Sequence, residues 1–334
     1  MSKLLRLTER FSGLKIAVLG DLMLDRYIWG YATRISQEAP VPVVEVHRSS
    51  SVPGGAANVV RNIIGLGASS GAYGCIGNDL EGKELLELLQ QAGADTQGIV
   101  FDPQRQTTVK TRVFASNQQV VRIDRECHHP INNEMRKQLL TFLQKTLLEQ
   151  KIGALILEDY AKGIFDQEFM QETCNLARQA GIFTTLDPHP THNYSVHGLK
   201  LMTPNRSEAF ALAGLPYQPG INNPQDDPPL LAVGSAILQK WQPALLLITL
   251  GAEGMALFQK DNPLPLHIPT QARQVFDVSG AGDTVMATMT LALLAGASPE
   301  DAARLANAAA GVVVGYVGTT AITADALKEK LLEL

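Results

Sequence analysis

The chain has 334 residues, 45% of them hydrophobic and 18% charged, enough apolar side chain for a sizeable core and too much for a disordered or linker-like protein. Its 28 Lys and Arg against 33 Asp and Glu leave a net charge of −5. No general attraction to nucleic acid or an anionic membrane follows, and an anionic ligand has to be gathered by local groups. Cys75, Cys127 and Cys174 are dispersed and form no CxxC pair, which reads as reduced thiols of a cytoplasmic protein.

The first residues carry charge but no apolar stretch of signal-peptide length, so nothing there marks the chain for export. Residues 16–19 read as a buried strand running into Gly20-Asp21, and residues 41–46 alternate apolar with polar side chains. A helix over 56–66, a strand over 72–76 and a helix over 80–92, closed by Gly93, come next. Residues 107–114 and 120–124 alternate again, with 115–119 as a hairpin connection. Then come a strand (152–157), a helix closed by Gly181 (165–180), a strand (182–186), a proline-rich surface loop (215–229) and a strand (245–249). The uncharged stretch 305–324 is too rich in Ala, Gly and Thr to face lipid and reads as a closely packed buried helix, broken at Gly318. Strands apolar on both faces and separated by helices indicate an α/β protein with a mostly parallel sheet covered on both sides. The alternating segments indicate a small, half-exposed antiparallel sheet projecting from it.

Three motif matches fail on context. Gly77-Asn78-Asp79-Leu80-Glu81-Gly82-Lys83-Glu84 nearly fits a P-loop, but Glu84 stands where a Mg²⁺-binding Ser or Thr is needed, and Asn78 and Asp79 suit a helix cap. Gly67-Ala68-Ser69-Ser70-Gly71 fits a nucleophile elbow but precedes a strand and follows a helix, the reverse of the required order. His189, His192 and His197 lie in a Pro- and Asn-rich segment with no regular ligand face and read as solvated loop histidines.

One motif holds. Asp277-Val278-Ser279-Gly280-Ala281-Gly282-Asp283-Thr284 opens an apolar helix over 285–294. Gly280, Ala281 and Gly282 let backbone N–H groups approach an anion closely, and the helix N-terminus favours phosphate. Asp283 places a carboxylate beside that nest, ionised and able to accept a proton from an attacking hydroxyl. The set fits phosphoryl transfer, in which positioning and charge stabilisation dominate. A plain helix cap explains the octapeptide equally well by itself.

Gly280-Ala281-Gly282-Asp283 resembles the C-terminal signature of the ribokinase (PfkB) family of carbohydrate kinases, and Gly54-Gly55-Ala56-Ala57-Asn58 its N-terminal one. Gly77 to Gly82 resembles the turn after that second signature, Asn205-Arg206-Ser207-Glu208 the NxxE element, and Thr249 to Gly254 the nucleotide-contacting turn, in family order over about residues 12–330. Within the family, Pro53 to Val59, Asn117-Gln118-Gln119, Arg122-Ile123-Asp124, Asp159-Tyr160-Ala161-Lys162-Gly163 and Asn307 to Gly315 resemble the D-glycero-β-D-manno-heptose-7-phosphate kinases of ADP-heptose and lipopolysaccharide-precursor synthesis. Asp187-Pro188-His189 departs from that subfamily, with His where Lys is expected. The chain has no HxGH nucleotidyltransferase signature and so resembles the stand-alone kinase.

The resemblance implies one ribokinase-like kinase domain over 1–334, with lid segments at about 22–52 and 105–125. It implies ATP-dependent phosphorylation of the sugar's C1 hydroxyl, with Asp283 as base and the amides of Gly280, Ala281, Gly282 and Asp283 as anion hole. Asn205 and Glu208 are expected to hold the Mg²⁺–phosphate assembly, Glu208 through water, although a capped helix start accounts for both locally. Thr249, Gly251, Gly254 and Asn307 are expected at ATP, with an internally bonded core amide as the alternative for Asn307, and Asp277 near a K⁺ site. On the sugar side, Gly54 and Gly55 line the site, and Asp21, Asp25 and Asn58 are placed to accept from hydroxyls. Lys110, Arg112, Arg122 and Lys162, with Arg34, are candidates for the 7-phosphate, positions 110 and 112 sharing one face of a strand. The family also implies a homodimer formed through the lid. A kinase for another sugar or sugar phosphate, and a non-catalytic sugar- or nucleotide-binding regulator, are the rival readings.

Overall fold

A computed structural model describes residues 3–116, 118–149, 151–221, 223–260, 262, 264–272 and 274–333. The run at 16–19 becomes β1 (Lys15–Gly20), every residue after Lys15 buried. It pairs in parallel with β4 (Ser69–Gly77) on one side and β8 (Ala154–Glu158) on the other. β5 (Asp95–Asp102) adds to β4, and β9 (Phe183–Asp187), β10 (Leu199–Met202) and β11 (Leu245–Thr249) continue beyond β8, all parallel. β12 (Met255–Gln259) and β13 (Leu266–Ile268) close that edge in antiparallel fashion. The order is β13-β12-β11-β10-β9-β8-β1-β4-β5.

Double-sided burial explains the uninterrupted apolar strands. Ile16 and Val18 of β1 join one core with α2 (Ala56–Gly65), α3 (Leu80–Gln91), α8 (Ala281–Leu294), α9 (Pro299–Val313) and α10 (Ala324–Leu332). Ala17 and Leu19 face the other, built with α4 (Asn133–Glu149), α5 (Gln167–Gln179), α6 (Arg206–Ala213) and α7 (Pro228–Trp241). The chain leaves β1 toward β4 and β5, then returns to the far side of β1 as β8. Such a reversal opens a crevice at the carboxyl ends of the strands, where ligands of doubly wound sheets bind. Asp21, Glu158, Asp187 and Thr249 stand at those ends.

A second sheet, ordered β3-β2-β6-β7, overhangs that crevice: β2 (Leu22–Ile35), β3 (Pro42–Gly55), β6 (Thr108–Ala115) and β7 (Gln118–Arg125). The β2–β3 and β6–β7 pairs are antiparallel as expected, and β2 runs parallel to β6 where they join. Asn117, in the connection between β6 and β7, lies outside the described residues. The sheet springs from Asp21 and returns through Gly54 and Gly55, so its root is the carboxyl end of β1.

Two expectations are corrected. The loop over 215–229 ends early, because Pro228 and Pro229 open α7, positions that need no N–H, and Asp227 caps it by accepting from the Leu230 N–H at 3.1 Å. The stretch 305–324 is a helix only as far as Val313. Its remainder is a turn whose Gly318 takes φ 83°, leading to α10. No described helix is long and apolar enough to cross a membrane.

α2 backs onto that turn so closely that a β-carbon at Gly65 would overlap the Ile322 carbonyl, while Asn62 Oδ1 accepts from the Ile322 N–H at 3.0 Å. Gly65→Ala is expected to destabilise the fold by about 1–3 kcal/mol, the usual cost of overpacking, measured by urea denaturation. A midpoint equal to that of the wild type would show that the turn yields freely.

Candidate active site

Gly280 caps α8 in the left-handed region at φ 77°, and a β-carbon there would lie 2.8 Å from Asn58 Nδ2. Only glycine lets the loop turn and bring the helix N-terminus against α2. Asp283, buried one residue beyond Ala281 and Gly282, is held from two sides: Asn58 Nδ2 donates to Oδ2 at 2.7 Å, and the Tyr160 hydroxyl donates to Oδ1 at 2.6 Å. Burial raises its pKa, and these two donors pull it back. The Ala281 N–H donates to the Val278 carbonyl at 3.2 Å, so the amides presented to an anion are those further into the first turn.

The nucleotide-side candidates meet across the sheet ends. Thr249 bridges to Asn205, and its N–H donates to the Pro204 carbonyl at 3.1 Å. Asn205 and Glu208 form a reciprocal capping box: the Glu208 N–H donates to Asn205 Oδ1 at 3.0 Å and the Asn205 N–H to Glu208 Oε2 at 2.8 Å. Gly251 and Gly254 have φ 62° and 90°. A β-carbon at Gly251 would meet open space, so that turn presents bare backbone. Asn307 is buried instead, its amide donating to the Pro269 carbonyl at 2.7 Å, the internally bonded arrangement. Asp277 accepts from the Ser279 and Gly318 N–H groups, each at 2.9 Å, tying the anion loop to the turn before α10.

Between these elements stand two acids that sequence reasoning did not single out. Glu158 is fully buried with neither carboxylate oxygen hydrogen-bonded within the protein, and it lies opposite Asp187 in the β8–β9 register. Burial pushes both well above the ordinary carboxylate range, followed for Glu158 by repulsion from Asp187 and Asp283 and for Asp187 by repulsion from Glu208 and Asp283. Their signal was an acidic residue ending a buried parallel strand, apolar throughout before Glu158 and Thr-containing before Asp187. Among the described residues no three His, Cys, Asp or Glu side chains converge on one metal position.

Of the residues expected at the sugar, Asp21 accepts from the Tyr160 and Lys162 N–H groups through Oδ2, at 2.8 and 3.1 Å, while its buried Oδ1 has no partner in the protein. Asp25 is fully engaged: Arg112 donates to Oδ1 at 2.7 Å and Thr319 to Oδ2 at 2.8 Å. It packs so tightly that a β-carbon at Gly54 would lie 2.6 Å from Oδ2, and one at Gly55 2.8 Å from the Asp21 carbonyl. Lys110 lies 5.6 Å from the centre of the Tyr160 ring and forms no ion pair among the described residues. Lys162 pairs with Glu126 at 2.8 Å. Arg122 is set apart, exposed on β7 and paired with Asp124 at 2.9 Å. Direct contacts therefore link Asn58 and Tyr160 to Asp283, Tyr160 and Lys162 to Asp21, and Lys110 to the Tyr160 ring, whereas Arg122 forms no hydrogen bond or ion pair with any of them.

The histidines are corrected as well. His192 is partly buried and its Nδ1 lies 2.8 Å from Asp159 Oδ2; that bond raises its pKa. His189, also partly buried, contacts the Thr191 hydroxyl at 2.7 Å, leaving His197 exposed. In the rejected P-loop match, Asp79 caps α3 by accepting from the Gly82 N–H at 2.8 Å, and Glu84 pairs with Arg26 at 2.8 Å.

Burial and the neighbouring Asp159 push Asp21 up to about 6. A raised acid pKa favours the folded state at low pH and weakens it as pH climbs from 3.8 through about 6, where the unfolded chain ionises first. Asp21→Asn removes that penalty. Its stability relative to the wild type is expected to rise by about 2–3 kcal/mol between pH 4 and pH 8, measured by denaturant titration; a difference that stays constant with pH contradicts the buried charge.

The pattern of the family described as pfkB family carbohydrate kinase matches residues 14–326. The bifunctional protein HldE of Paramagnetospirillum magneticum is 39% identical over 98% of this chain, and that of Geobacter sulfurreducens 42% identical over 92%. The chain spans 65% and 60% of the length of those two relatives. Among solved structures, phosphofructokinase-2 from Escherichia coli in complex with potassium superposes with TM-score 0.76 at 20% identity, covering 96% of this chain and 98% of that one. Arabidopsis thaliana ribokinase complexed with ribose and ATP does so with TM-score 0.69 at 19% identity, covering 96% and 99%. Matched over residues 14–326, the chain belongs to the pfkB family of carbohydrate kinases.

Proposed function

We propose that this kinase transfers the γ-phosphoryl group of ATP to the C1 hydroxyl of D-glycero-β-D-manno-heptose 7-phosphate, giving the 1,7-bisphosphate. The observation that carries the reading is the buried carboxylate of Asp283, fixed by Asn58 and Tyr160 at the N-terminus of α8. In the transfer, Asp283 takes the proton of the C1 hydroxyl as the new O–P bond forms and the bond from the γ-phosphorus to the ADP oxygen breaks. The first-turn amides and Gly280 receive the charge of the migrating group. The turn at Thr249, Gly251 and Gly254 supports the nucleotide, and Asp21 and Asn58, each with a buried oxygen lacking a partner in the protein, accept from the sugar hydroxyls.

Glu208 neighbours Asp187 and the unpartnered Glu158, a setting that suits a hydrated hard cation, and Glu208 with Asn205 would hold Mg²⁺ through water. When bound, that ion offsets the charge of the β- and γ-phosphates. Asp277 has both oxygens fixed by backbone amides and no ion pair among the described residues, which suits K⁺. The overhanging sheet serves as the lid of a single domain over 1–334. Its exposed Tyr31, Ile35, Val46, Val121 and Ile123 support a homodimer built on it. Lys110, without an acidic partner among the described residues and beside the Tyr160 ring, is the first choice for the 7-phosphate.

A kinase for another sugar or sugar phosphate is the second reading. It is favoured by the engagement of Arg112 and Lys162 with Asp25 and Glu126, and by His189 near the sugar side. ADP release measured against a panel of sugars and sugar phosphates separates the two. The first reading predicts a kcat/KM at least about a hundredfold higher for heptose 7-phosphate than for the unphosphorylated sugar. It also predicts that Lys110→Met raises the KM for the sugar phosphate about tenfold or more with the KM for ATP unchanged. Robust turnover of plain hexoses with none of heptose 7-phosphate discards the substrate and leaves the kinase.

A further inference from the structure

Tyr160 sits in the loop after β8, and three contacts aim it. Its N–H donates to Asp21 Oδ2 at 2.8 Å, its ring lies beside Lys110 Nζ at 5.6 Å, and its hydroxyl reaches Asp283 Oδ1 at 2.6 Å. The loop itself is held in an unusual shape. Ala161 takes φ 54°, a left-handed conformation rare for a residue with a β-carbon, and its N–H is caught by Asp159 Oδ1 at 2.9 Å. The buried Arg105 guanidinium donates to the Lys162 carbonyl at 2.7 Å and to the carbonyls of Cys127 and His129, stapling the loop from behind. So much local constraint on a partly buried phenol points to a placed side chain rather than to packing that happened to reach an acid.

A carboxylate held by one donor can swing about its terminal torsion, which has broad, soft wells. Held by donors on both oxygens, it presents its remaining lone pairs in one direction. We infer that Tyr160 is a positioning residue for the base: its hydroxyl fixes Oδ1 of Asp283 while Asn58 fixes Oδ2, so that the acceptor hydroxyl meets a carboxylate already oriented. This rests on the reading of Asp283 as the base of a carbohydrate kinase. Tyr160 does so as a neutral phenol, since burial and the nearby carboxylates push it well above the ordinary tyrosine range and keep it protonated. The ionisable groups that face Asp283 are Asp25 from β2, Lys110 from β6, Glu158 from β8 and Asp187 from β9, besides Tyr160 itself. Of these, Tyr160 is the one that donates a hydrogen bond to it.

A donor to a carboxylate favours its ionised form, so removing the donor raises the pKa of the base. Tyr160→Phe keeps the ring and deletes one oxygen. The acid limb of kcat against pH, at saturating ATP and sugar substrate, is expected to move up by about half a unit to one unit, and the plateau to fall about tenfold, with ADP affinity within about twofold of the wild type. Tyr160→Met, which also lacks the hydroxyl, repeats the measurement if Phe is poorly folded. A limb that stays in place in a folded variant overturns the inference while the kinase reading stands. A wild-type protein that turns over no sugar or sugar phosphate takes down that reading and this inference with it.

Discussion

A carboxylate deep in a crevice keeps its charge only where the protein replaces the hydrogen bonds that water gave it. That condition organises this molecule. Asp283 has lost its water, and its replacements come from two distant parts of the chain, Asn58 at the start of α2 and Tyr160 in the loop after β8. Meeting it requires β1 to bring α2 and β8 to one place, which the reversal of sheet order at β1 achieves. It also requires Gly280 to turn the chain so that α8 begins against Asn58.

The same economy ties the overhanging sheet to the crevice. Asp25 on β2 is neutralised by Arg112 on β6 and bonded by Thr319, whose N–H donates to the Tyr27 hydroxyl at 2.6 Å. Gly318, next to Thr319, donates to Asp277, which in turn holds Ser279 in the anion loop. Hydrogen bonds and the Gly318–Thr319 peptide link therefore connect the second sheet to the glycine loop before α8. Removing one partner of a buried ion pair costs about 3–5 kcal/mol, much more than an exposed pair such as Arg122 with Asp124 contributes. The root of the sheet is thus rigidly fixed, whereas its far strands carry exposed apolar side chains.

Much of the fold was legible because parallel strands buried on both faces must be apolar throughout, as in 16–19 and 152–157. The cradle was legible too, since Gly280 and the acid after Gly282 lie within one turn and need no distant partner to be noticed. Pairing could not be read. Arg112 and Lys162 look like free cations in the sequence and are engaged by Asp25 and Glu126, 87 and 36 residues away. Tyr160 looks like any aromatic residue after a strand until the fold sets it on Asp283, 123 residues further on. Pro228 and Pro229 look like the end of a loop, and only the apolar residues downstream of them distinguish a helix start. Asn307 likewise gives no hint in the sequence that its amide donates to the Pro269 carbonyl, 38 residues away.

The central claim is that one buried acid at the mouth of α8 removes the proton of the acceptor. Single-turnover measurement of phosphoryl transfer by Asp283→Asn tests it most directly, because the amide preserves shape and both donors' neighbourhood while abolishing basicity. The account predicts a rate 10²–10⁴-fold below that of the wild type, with nucleotide affinity nearly unchanged. A rate within about threefold of the wild type would contradict it and move the search for the base elsewhere in the crevice.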